Sequence, residues 1–303
     1  MMLRILVLFL LIGQLSFGQT NTPVVVPGTK CSIVPPEGFE PATSFSGFQN
    51  AETGASIMIN ELPAPYEKLA AGFTAEALRS KGMTLASKEV ISFNSSEATL
   101  LNVTQQLNGT TYIKQLLIFG DKEGTVLVNG IYPESSKEME GKIKDALLST
   151  VYNSSQNDNP LNAAPFTVNT EGSEFKPVKY LAGALLYSAD GLIPTEKPTL
   201  IIGMSLSKVF PGNQRQYAVE RLEKLAGGEF NSIKESMEVT IDNMNGYEII
   251  ANRKDDEDRS ELIYQVMLFD TTGDYYIIVG QAKDDFDRNL ETYKKIARTF
   301  KRK

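Results

Sequence analysis

Four consecutive acidic residues, Asp255-Asp-Glu-Asp258, form a tight group of possible metal ligands. Hard cations such as calcium take about six to eight oxygen ligands, so a carboxylate-rich loop can contribute to such a site. Asp255, Asp256 and Asp258 are therefore candidate metal ligands. The cluster lies between two predicted strands, beside Lys254 and Arg259, and it lacks EF-hand spacing. A solvated hairpin tip is the simpler interpretation, and metal binding is the alternative.

A second motif, Ser205-Leu-Ser-Lys208, matches S-x-x-K, the nucleophile motif of penicillin-recognising enzymes. In those enzymes the serine and the lysine share one face of a helix. Here the motif ends an apolar run over residues 199–206 that reads as a strand, so Ser205 and Lys208 would point to opposite faces. The accompanying S-D-N and K-T-G motifs are absent. The sequence therefore disfavours a serine nucleophile here.

Composition narrows the chemistry further. The sequence has no histidine, which excludes histidine-activated nucleophiles and imidazole zinc sites. Its one cysteine, Cys31, cannot form an internal disulfide. Neither G-x-x-x-x-G-K-[ST] nor G-x-G-x-x-G occurs. The 30 Lys and Arg residues against 37 Asp and Glu give a net charge of −7, with no basic stripe. We predict no catalytic residues, no cofactor and no nucleic-acid partner, and we expect a protein or small-molecule partner.

Residues 1–18 have the pattern of a cleavable signal peptide. A basic residue precedes an unbroken apolar run over residues 5–12, and Ser16 and Gly18 are small residues before a cut at Gln19. No cysteine follows this box directly, so lipid attachment is not predicted. No later apolar run has the length of about 20 residues that a membrane span needs. We expect a soluble periplasmic or secreted protein with no integral membrane segment after cleavage.

The rest of the chain divides into two similar halves. A polar stretch rich in Ser, Asn and Pro predicts a linker at residues 153–164 between domains at 31–152 and 165–303, with an N-terminal extension at 19–30. Each half has early strand material, an amphipathic helix, four strand-like runs and a final helix. In the first half the apolar spacing from Tyr66 to Leu78 predicts one helix.

The halves also match residue by residue. At an offset of 150, residues 114–130 lie over residues 264–280 without a gap, and three positions are identical in the two segments: Gln115 and Gln265, Phe119 and Phe269, and Gly130 and Gly280. Short hairpin connections require antiparallel strands, and the helices must bury their apolar stripes against the sheet. The sequence therefore predicts two tandem α+β domains, each an antiparallel sheet between helices.

This element order resembles the PsbP/Mog-like family of α-β-α sandwiches. Cys31-Ser-Ile-Val-Pro-Pro-Glu-Gly-Phe39 is similar to that family's opening strand and Pro/Gly-aromatic turn. Val239-Thr-Ile-Asp-Asn-Met-Asn-Gly-Tyr247 resembles its strand–Asn-Gly–strand hairpin, and Leu268-Phe-Asp-Thr-Thr-Gly-Asp-Tyr-Tyr276 resembles a later hairpin. The resemblance implies two tandem copies in an exported bacterial protein. The family's members serve as accessory, scaffolding or small-GTPase-binding modules and share no catalytic set, so no functional residue transfers.

One modification site is also suggested. Asp270-Thr271-Thr272 resembles the acceptor that some exported bacterial proteins use for O-glycosylation, and it lies at a predicted hairpin tip. Thr271 is therefore a candidate acceptor.

The leading hypothesis is an exported, non-enzymatic binding or accessory module that uses a sheet face or the groove between its halves. One alternative is a carboxylate-based metal-dependent binder or enzyme that uses Asp255, Asp256 and Asp258. Another is an envelope assembly subunit.

Overall fold

The structure is a computed structural model that describes residues 22–156, 159–225, 230–255 and 257–303, without the side chains of residues 230 and 231. The predicted signal peptide, its cleavage site at Gly18 and Gln19, and the candidate ligand Asp256 lie outside the described residues. Among the described residues, no helix is both long and apolar enough to cross a membrane.

The first domain contains ten strands, three α-helices and a 3-10 turn at Glu134–Ser136. Its helices are α1 (Tyr66–Gly72), α2 (Ala75–Arg79) and α3 (Met139–Leu148). Its strands are β1 (Val24–Val25), β2 (Cys31–Ile33), β3 (Glu40–Pro41), β4 (Gly47–Asn50), β5 (Ala55–Leu62), β6 (Met83–Phe93), β7 (Ser96–Leu107), β8 (Thr110–Gly120), β9 (Thr125–Pro133) and β10 (Val151–Tyr152).

A short helix, α4 (Pro160–Ala163), connects this domain to the second one. The second domain has helices α5 (Gln214–Glu223) and α6 (Phe286–Ala297). Its strands are β11 (Phe166–Thr167), β12 (Lys176–Leu181), β13 (Ala184–Ser188), β14 (Thr199–Met204), β15 (Phe230–Ile241), β16 (Met244–Lys254), β17 (Ser260–Phe269), β18 (Tyr275–Ala282) and β19 (Lys301–Arg302).

The two domains have the same sheet topology. The seven-stranded sheets run β3-β4-β5-β9-β8-β7-β6 and β12-β13-β14-β18-β17-β16-β15, with every neighbouring pair antiparallel. Each domain ends on a short strand that returns to its own start, since β10 pairs with β2 and β19 pairs with β11. The prediction of two tandem antiparallel α+β domains is confirmed.

Helices cover both faces of each sheet. In the first domain, Ile143 and Leu147 of α3 belong to one core cluster, while Leu78 of α2 packs with the opposite face. In the second domain, α6 packs on one face, and Ala218 and Leu222 of α5 pack on the other. Burying an aliphatic side chain of this kind contributes about 1.5–3 kcal/mol, so these apolar stripes hold the layers together.

The predicted single helix before β6 is two short helices. The chain leaves the helical conformation at Phe73 (φ −82°, ψ 69°), and Thr74 begins α2 by accepting a hydrogen bond from the Ala77 amide at its side chain. Thr is a favoured N-cap residue, and its local bond competes with continuation of the helix. Apolar periodicity alone did not reveal this break.

The gapless match between the halves is wrong by one residue in β8. Gln115 faces Gly130 across its hairpin, whereas the residue facing Gly280 is Tyr264 and not Gln265. The second hairpin loop, residues 270–274, is one residue longer than the first, residues 121–124. A one-residue slip moves a side chain to the other face of the sheet. Gln265 therefore points to α5, where its amide donates to the Ala218 carbonyl at 2.8 Å.

The hairpin of the second domain also turns earlier than the Asn-Gly motif predicts. The turn lies at Asp242 and Asn243, both with positive φ, while Asn245 and Gly246 belong to β16. Its counterpart in the first domain turns at Asn94 and Ser95, also with positive φ. Such two-residue turns match the twist of the strands that they join.

Candidate functional site

A cavity of about 830 Å³ opens at the end of the first sheet where two hairpins turn. The β6–β7 turn contributes Asn94, and the β8–β9 turn contributes Asp121. Strand β10 supplies Tyr152, and the second domain supplies Lys179 from β12. The cavity is therefore built mostly from the first domain and closed on one side by the second.

Contacts between the domains fix that closing wall. Lys179 Nζ lies 3.6 Å from Glu61 Oε2, and the Ala182 amide donates to Asn60 Oδ1 at 3.2 Å. At Gly183 (φ 82°), a Cβ atom would come within 2.5 Å of the Ser44 carbonyl oxygen, so a side chain there would clash with the first domain. The β12–β13 hairpin consequently lies close against the first domain beside the cavity.

Asp121 organises the hairpin loop at the mouth of the cavity. Its Oδ1 accepts hydrogen bonds from the amides of Glu123 at 2.8 Å and Gly124 at 3.0 Å. These bonds, the Glu123 bond first, hold the pKa of the Asp121 carboxyl below its usual range. Asp121 is exposed and forms no ion pair within the part of the chain that the structure describes.

The cavity lining combines four carboxylates with two lysines. Glu97, Asp121 and Glu123 lie in or beside the two hairpin turns, and the lining also includes the buried rings of Phe93 and Phe119, whose centroids are 4.9 Å apart. The fourth carboxylate, Glu61, belongs to β5 and pairs in register with Val126 of β9. The Glu61 side chain pairs with Lys179 and accepts a hydrogen bond from the Lys30 amide. Since Glu61 already has a cationic partner, the three hairpin carboxylates carry the available negative charge.

The second domain has an equivalent place, which strand register identifies. Phe93 and Ser96 are the paired residues on either side of the β6–β7 turn, and Ile241 and Met244 hold the same places beside the β15–β16 turn. The first turn residues, Asn94 and Asp242, therefore correspond. Asp121 and Asp270 directly follow the equivalent strands β8 and β17. Tyr152 and Arg302 are the second residues of the equivalent strands β10 and β19.

In the second domain an arginine bridges the two hairpins. Arg302 Nε donates to Asp242 Oδ2 at 2.9 Å, and the Arg302 backbone amide donates to the same oxygen at 3.1 Å. Its Nη1 donates to Asp270 Oδ2, while Asp270 Oδ1 accepts from the Thr272 amide at 2.7 Å. The Arg302 bonds lower the pKa of Asp242, and its bond to Asp242 raises the pKa of Arg302.

The predicted metal ligands are placed differently from one another. Asp255 accepts hydrogen bonds from the amides of Glu257 and Arg259, and it pairs with the side chains of Arg259 at 2.8 Å and Lys283 at 3.3 Å. Asp258 is 88% exposed and lies 3.6 Å from Lys254. Among the described residues, no group of three or more His, Cys, Asp or Glu side chains is placed to hold a metal ion. Metal binding by this loop stays the untested alternative to a solvated hairpin tip.

The remaining candidate residues lie near the β17–β18 hairpin. Ser205 Oγ accepts a hydrogen bond from the Tyr275 amide at 3.2 Å and donates to Asp274 at 3.4 Å, so this hydroxyl anchors the hairpin. Lys208 is exposed and comes after the end of β14. Thr271 is exposed at the hairpin tip, a position that leaves its hydroxyl accessible. Its modification stays a prediction.

Sequence patterns alone reveal neither the cavity of the first domain nor its arginine-bridged counterpart in the second. The signal was available in part, because Asp121 and Asp270 each begin a polar turn after an aligned apolar strand. The missing information was the pairing of β19 with β11, which carries Arg302 back to those turns.

The sequence matches no protein-family model, and no curated protein matches it. Similar solved structures include PsbP (CyanoP) from Synechocystis sp. PCC 6803, at 10% identity and a TM-score of 0.31, covering 41% of this chain and 87% of that one. The T6SS immunity protein TplEi from Pseudomonas aeruginosa matches at 12% identity and a TM-score of 0.30, covering 94% and 98%. A chain of the Tle4–Tli4 complex matches at 9% identity and a TM-score of 0.32, covering 93% of this chain and 98% of that one.

Proposed function

We propose that this protein is an exported, non-enzymatic binding module that engages a protein partner at the cavity of its first domain. The observation that carries the proposal is the contrast between the two domains. The hairpin turns of the second domain are bridged by Arg302, whereas the equivalent turns of the first domain border a cavity of about 830 Å³. A concave surface with a few convergent polar groups is the usual form of a binding site.

The polar groups of the cavity suit binding better than catalysis. Asp121 uses one oxygen to shape its loop, and Glu61 is held by Lys179. A nucleophilic enzyme would need a hydroxyl or thiol within hydrogen-bond reach of a base. The hydroxyls of Ser96, Thr125 and Ser154 line the cavity, but among the described residues none of the three donates to a carboxylate, and Thr125 donates to the Ala64 carbonyl. The carboxylates and the apolar side chains beside them can recognise a charged group attached to an apolar stem.

Two further parts of the proposal rest on the sequence. The pattern in residues 1–18 supports export. The opening motif from Cys31 to Phe39 supports membership of the PsbP/Mog-like family for the first domain, and the shared element order supports it for both domains.

The test is a titration of the isotope-labelled protein with short peptides that are cationic, neutral or anionic, followed by amide resonances of the cavity loops. We expect at least one peptide class to shift the resonances of residues 121–124. The matched control is Asn94→Asp/Tyr152→Arg, which gives the first domain the residues that bridge the second. This variant should close the cavity and abolish the shifts while its melting temperature shows that it is folded. If no peptide class shifts these resonances in the unaltered protein, the proposed site is wrong.

A further inference from the structure

We infer that the first-domain cavity binds a guanidinium group carried on an extended peptide segment of a partner. This inference rests on the proposed function and names the chemistry of the ligand. Its basis is the second domain, where the equivalent place already holds a guanidinium. There Arg302 belongs to a strand and reaches two hairpin turns through its side chain.

The carboxylates of Asp121 and Asp270 are oriented by their own loops in the same way. Asp270 turns Oδ1 to the amide of Thr272 in its own loop and leaves Oδ2 for Arg302. Asp121 likewise turns Oδ1 to the amides of Glu123 and Gly124. Its Oδ2 accepts no hydrogen bond from the described residues. Because the loop fixes the carboxylate before any ligand arrives, binding a cation there costs little conformational entropy.

The first domain lacks the second carboxylate of the bridge at the equivalent position. Asn94 stands where the second domain has Asp242, and its amide donates to the Thr150 carbonyl at 3.1 Å. Two acidic residues appear nearby at positions that are neutral in the second domain. By strand register Glu97 corresponds to Asn245, and Glu123 occupies the loop position of Thr272. Neither glutamate forms an ion pair within the described parts of the chain.

The surrounding cations offset only part of the negative charge beside the hairpin turns. Lys179 is engaged by Glu61. Lys122 lines the neighbouring depression beside Tyr66, and its charge contributes to lowering the pKa of Asp121. Lys30 also lines the cavity, on the side where its backbone amide donates to Glu61. Even against Lys122, the carboxylates of Glu97, Asp121 and Glu123 leave a local excess of negative charge at the turns.

The cavity also has room for more than a guanidinium. The rings of Phe93 and Phe119 and the side chain of Val126 form an apolar part of the cavity lining. Long basic side chains pack their methylene groups on such surfaces while the charged head stays with polar groups. A planar guanidinium also donates to carboxylates in a fixed fork, which an ammonium cannot do. These features favour arginine in a peptide over a compact cation.

The experiment compares four probes on the purified, isotope-labelled protein. They are acetyl-Gly-Arg-Gly-amide, the same peptide with citrulline, the same peptide with glutamate, and free arginine. We expect the arginine peptide to shift the resonances of residues 121–124, and the citrulline and glutamate peptides to bind at least about tenfold more weakly. Asp121→Asn should weaken the arginine peptide about tenfold, because the amide keeps the Oδ1 acceptor for the loop and loses the charge.

The outcomes separate the inference from the proposed function. Stronger binding of the arginine peptide than of free arginine assigns the guanidinium to a polypeptide, and equal binding overturns the peptide part of the inference. Shifts caused by the citrulline or glutamate peptide as strongly as by the arginine peptide overturn the guanidinium but leave the cavity as a binding site. If neither the four probes nor any peptide class of the previous test shifts these resonances, both the guanidinium inference and the proposed binding site are wrong. Asp270→Asn, in the bridged second domain, is the matched variant and should leave arginine-peptide binding unchanged.

Discussion

Gly280 lies directly beneath the aromatic ring of Tyr293, so that a Cβ atom at Gly280 would come within 2.5 Å of the ring. The first domain repeats the arrangement, because a Cβ atom at Gly130 would come within 2.2 Å of the Ile143 side chain. Both pairs join the last long strand of a sheet to the helix that follows it. In this part of the chain the two halves correspond at a constant offset of 150 residues, so Gly130 matches Gly280 and Ile143 matches Tyr293.

Replacing either glycine by alanine should therefore separate a helix from its sheet. We expect Gly130→Ala and Gly280→Ala each to lower the free energy of unfolding by about 1–3 kcal/mol, the usual cost of overpacking a close contact. Urea unfolding followed by circular dichroism measures this change. The control is Gly141→Ala in α3, where no atom lies within 4 Å of the added methyl group. That variant should be neutral or up to about 1 kcal/mol more stable, and a loss equal to that of Gly130→Ala would contradict the packing argument.

The core of the second domain contains a carboxylate that is almost fully buried. Glu248 is 1% exposed, accepts a hydrogen bond from the Tyr264 hydroxyl at 2.8 Å and lies 2.6 Å from an Arg298 nitrogen. Burial raises the pKa of the Tyr264 hydroxyl, which stays protonated and can donate. By register the first domain has Leu100 at the position of Glu248. Arg298→Leu leaves the carboxylate with a single partner, so we expect it to lower the free energy of unfolding by about 2 kcal/mol.

The matched variant removes every polar member of this group at once. Glu248→Leu/Tyr264→Phe/Arg298→Leu leaves no buried charge without a partner, so it should be more stable than Arg298→Leu alone. Chemical denaturation of the three proteins gives the comparison. If the triple variant is the least stable, the network contributes net stability and the penalty argument fails.

Much of the fold follows from patterns that the sequence displays. Alternation of apolar residues in the long strands and the polar turns between them predict antiparallel meanders in both halves. The register of β8 could not be obtained in this way, since every residue from Leu116 to Phe119 is apolar and buried. Such a run fits either face of the sheet, and only the extra loop residue near Gly273 decides between them.

The candidate site depended on information that no local pattern carries. Arg302 lies at the end of the chain and meets Asp242 and Asp270 only because β19 pairs with β11. The acidic loop shows how little a dense local pattern says about the availability of a carboxylate, because the pattern suggested metal ligands without regard to the neighbours of each side chain. In the folded chain Asp255 meets Arg259 and Lys283, and Lys283 comes from a distant part of the sequence. Tertiary neighbours decide whether a carboxylate is available.

Asp255 should make the stability of the second domain depend on pH in the acidic range. Desolvation raises the pKa of its carboxyl, but hydrogen bonds from Arg259, Glu257 and Lys283 together outweigh it and hold the pKa well below its usual range. A depressed pKa contributes stability above the unfolded value of about 3.9 and loses it as the pH falls through the folded value. Asp255→Asn should thus lower the melting temperature at pH 7, and the difference from the unaltered protein should shrink below about pH 4.

The control for this effect is Asp258→Asn. The Asp258 side chain is 88% exposed, so its charge contributes little to folding. Melting curves between pH 7 and pH 2 should be nearly the same for this variant and the unaltered protein. A pH-independent difference for Asp255→Asn would mean that the loop hydrogen bonds, rather than the charge, stabilise this hairpin.

Calcium should not bind the acidic loop with useful affinity. The Asp255 carboxylate would have to leave Arg259 and Lys283 to act as a ligand. We expect calorimetric titration with calcium to give no binding heat, and excess calcium or chelator to leave the melting temperature unchanged. A calcium-dependent rise in melting temperature that disappears in Asp255→Asn/Asp256→Asn/Asp258→Asn would instead establish the metal-binding alternative.

Export is tested by the mass of the mature chain. Cleavage after Gly18 removes one positive charge, Arg4, and leaves Gln19 as the first residue. We expect intact mass spectrometry of the protein from an envelope or secreted fraction to give a chain that begins at Gln19. Replacing Gly18 by a bulky residue should retain residues 1–18, because the cleavage site requires small side chains. Recovery of the unaltered protein with these residues intact would remove the basis for export, while the cavity and its proposed ligand would remain to be tested independently.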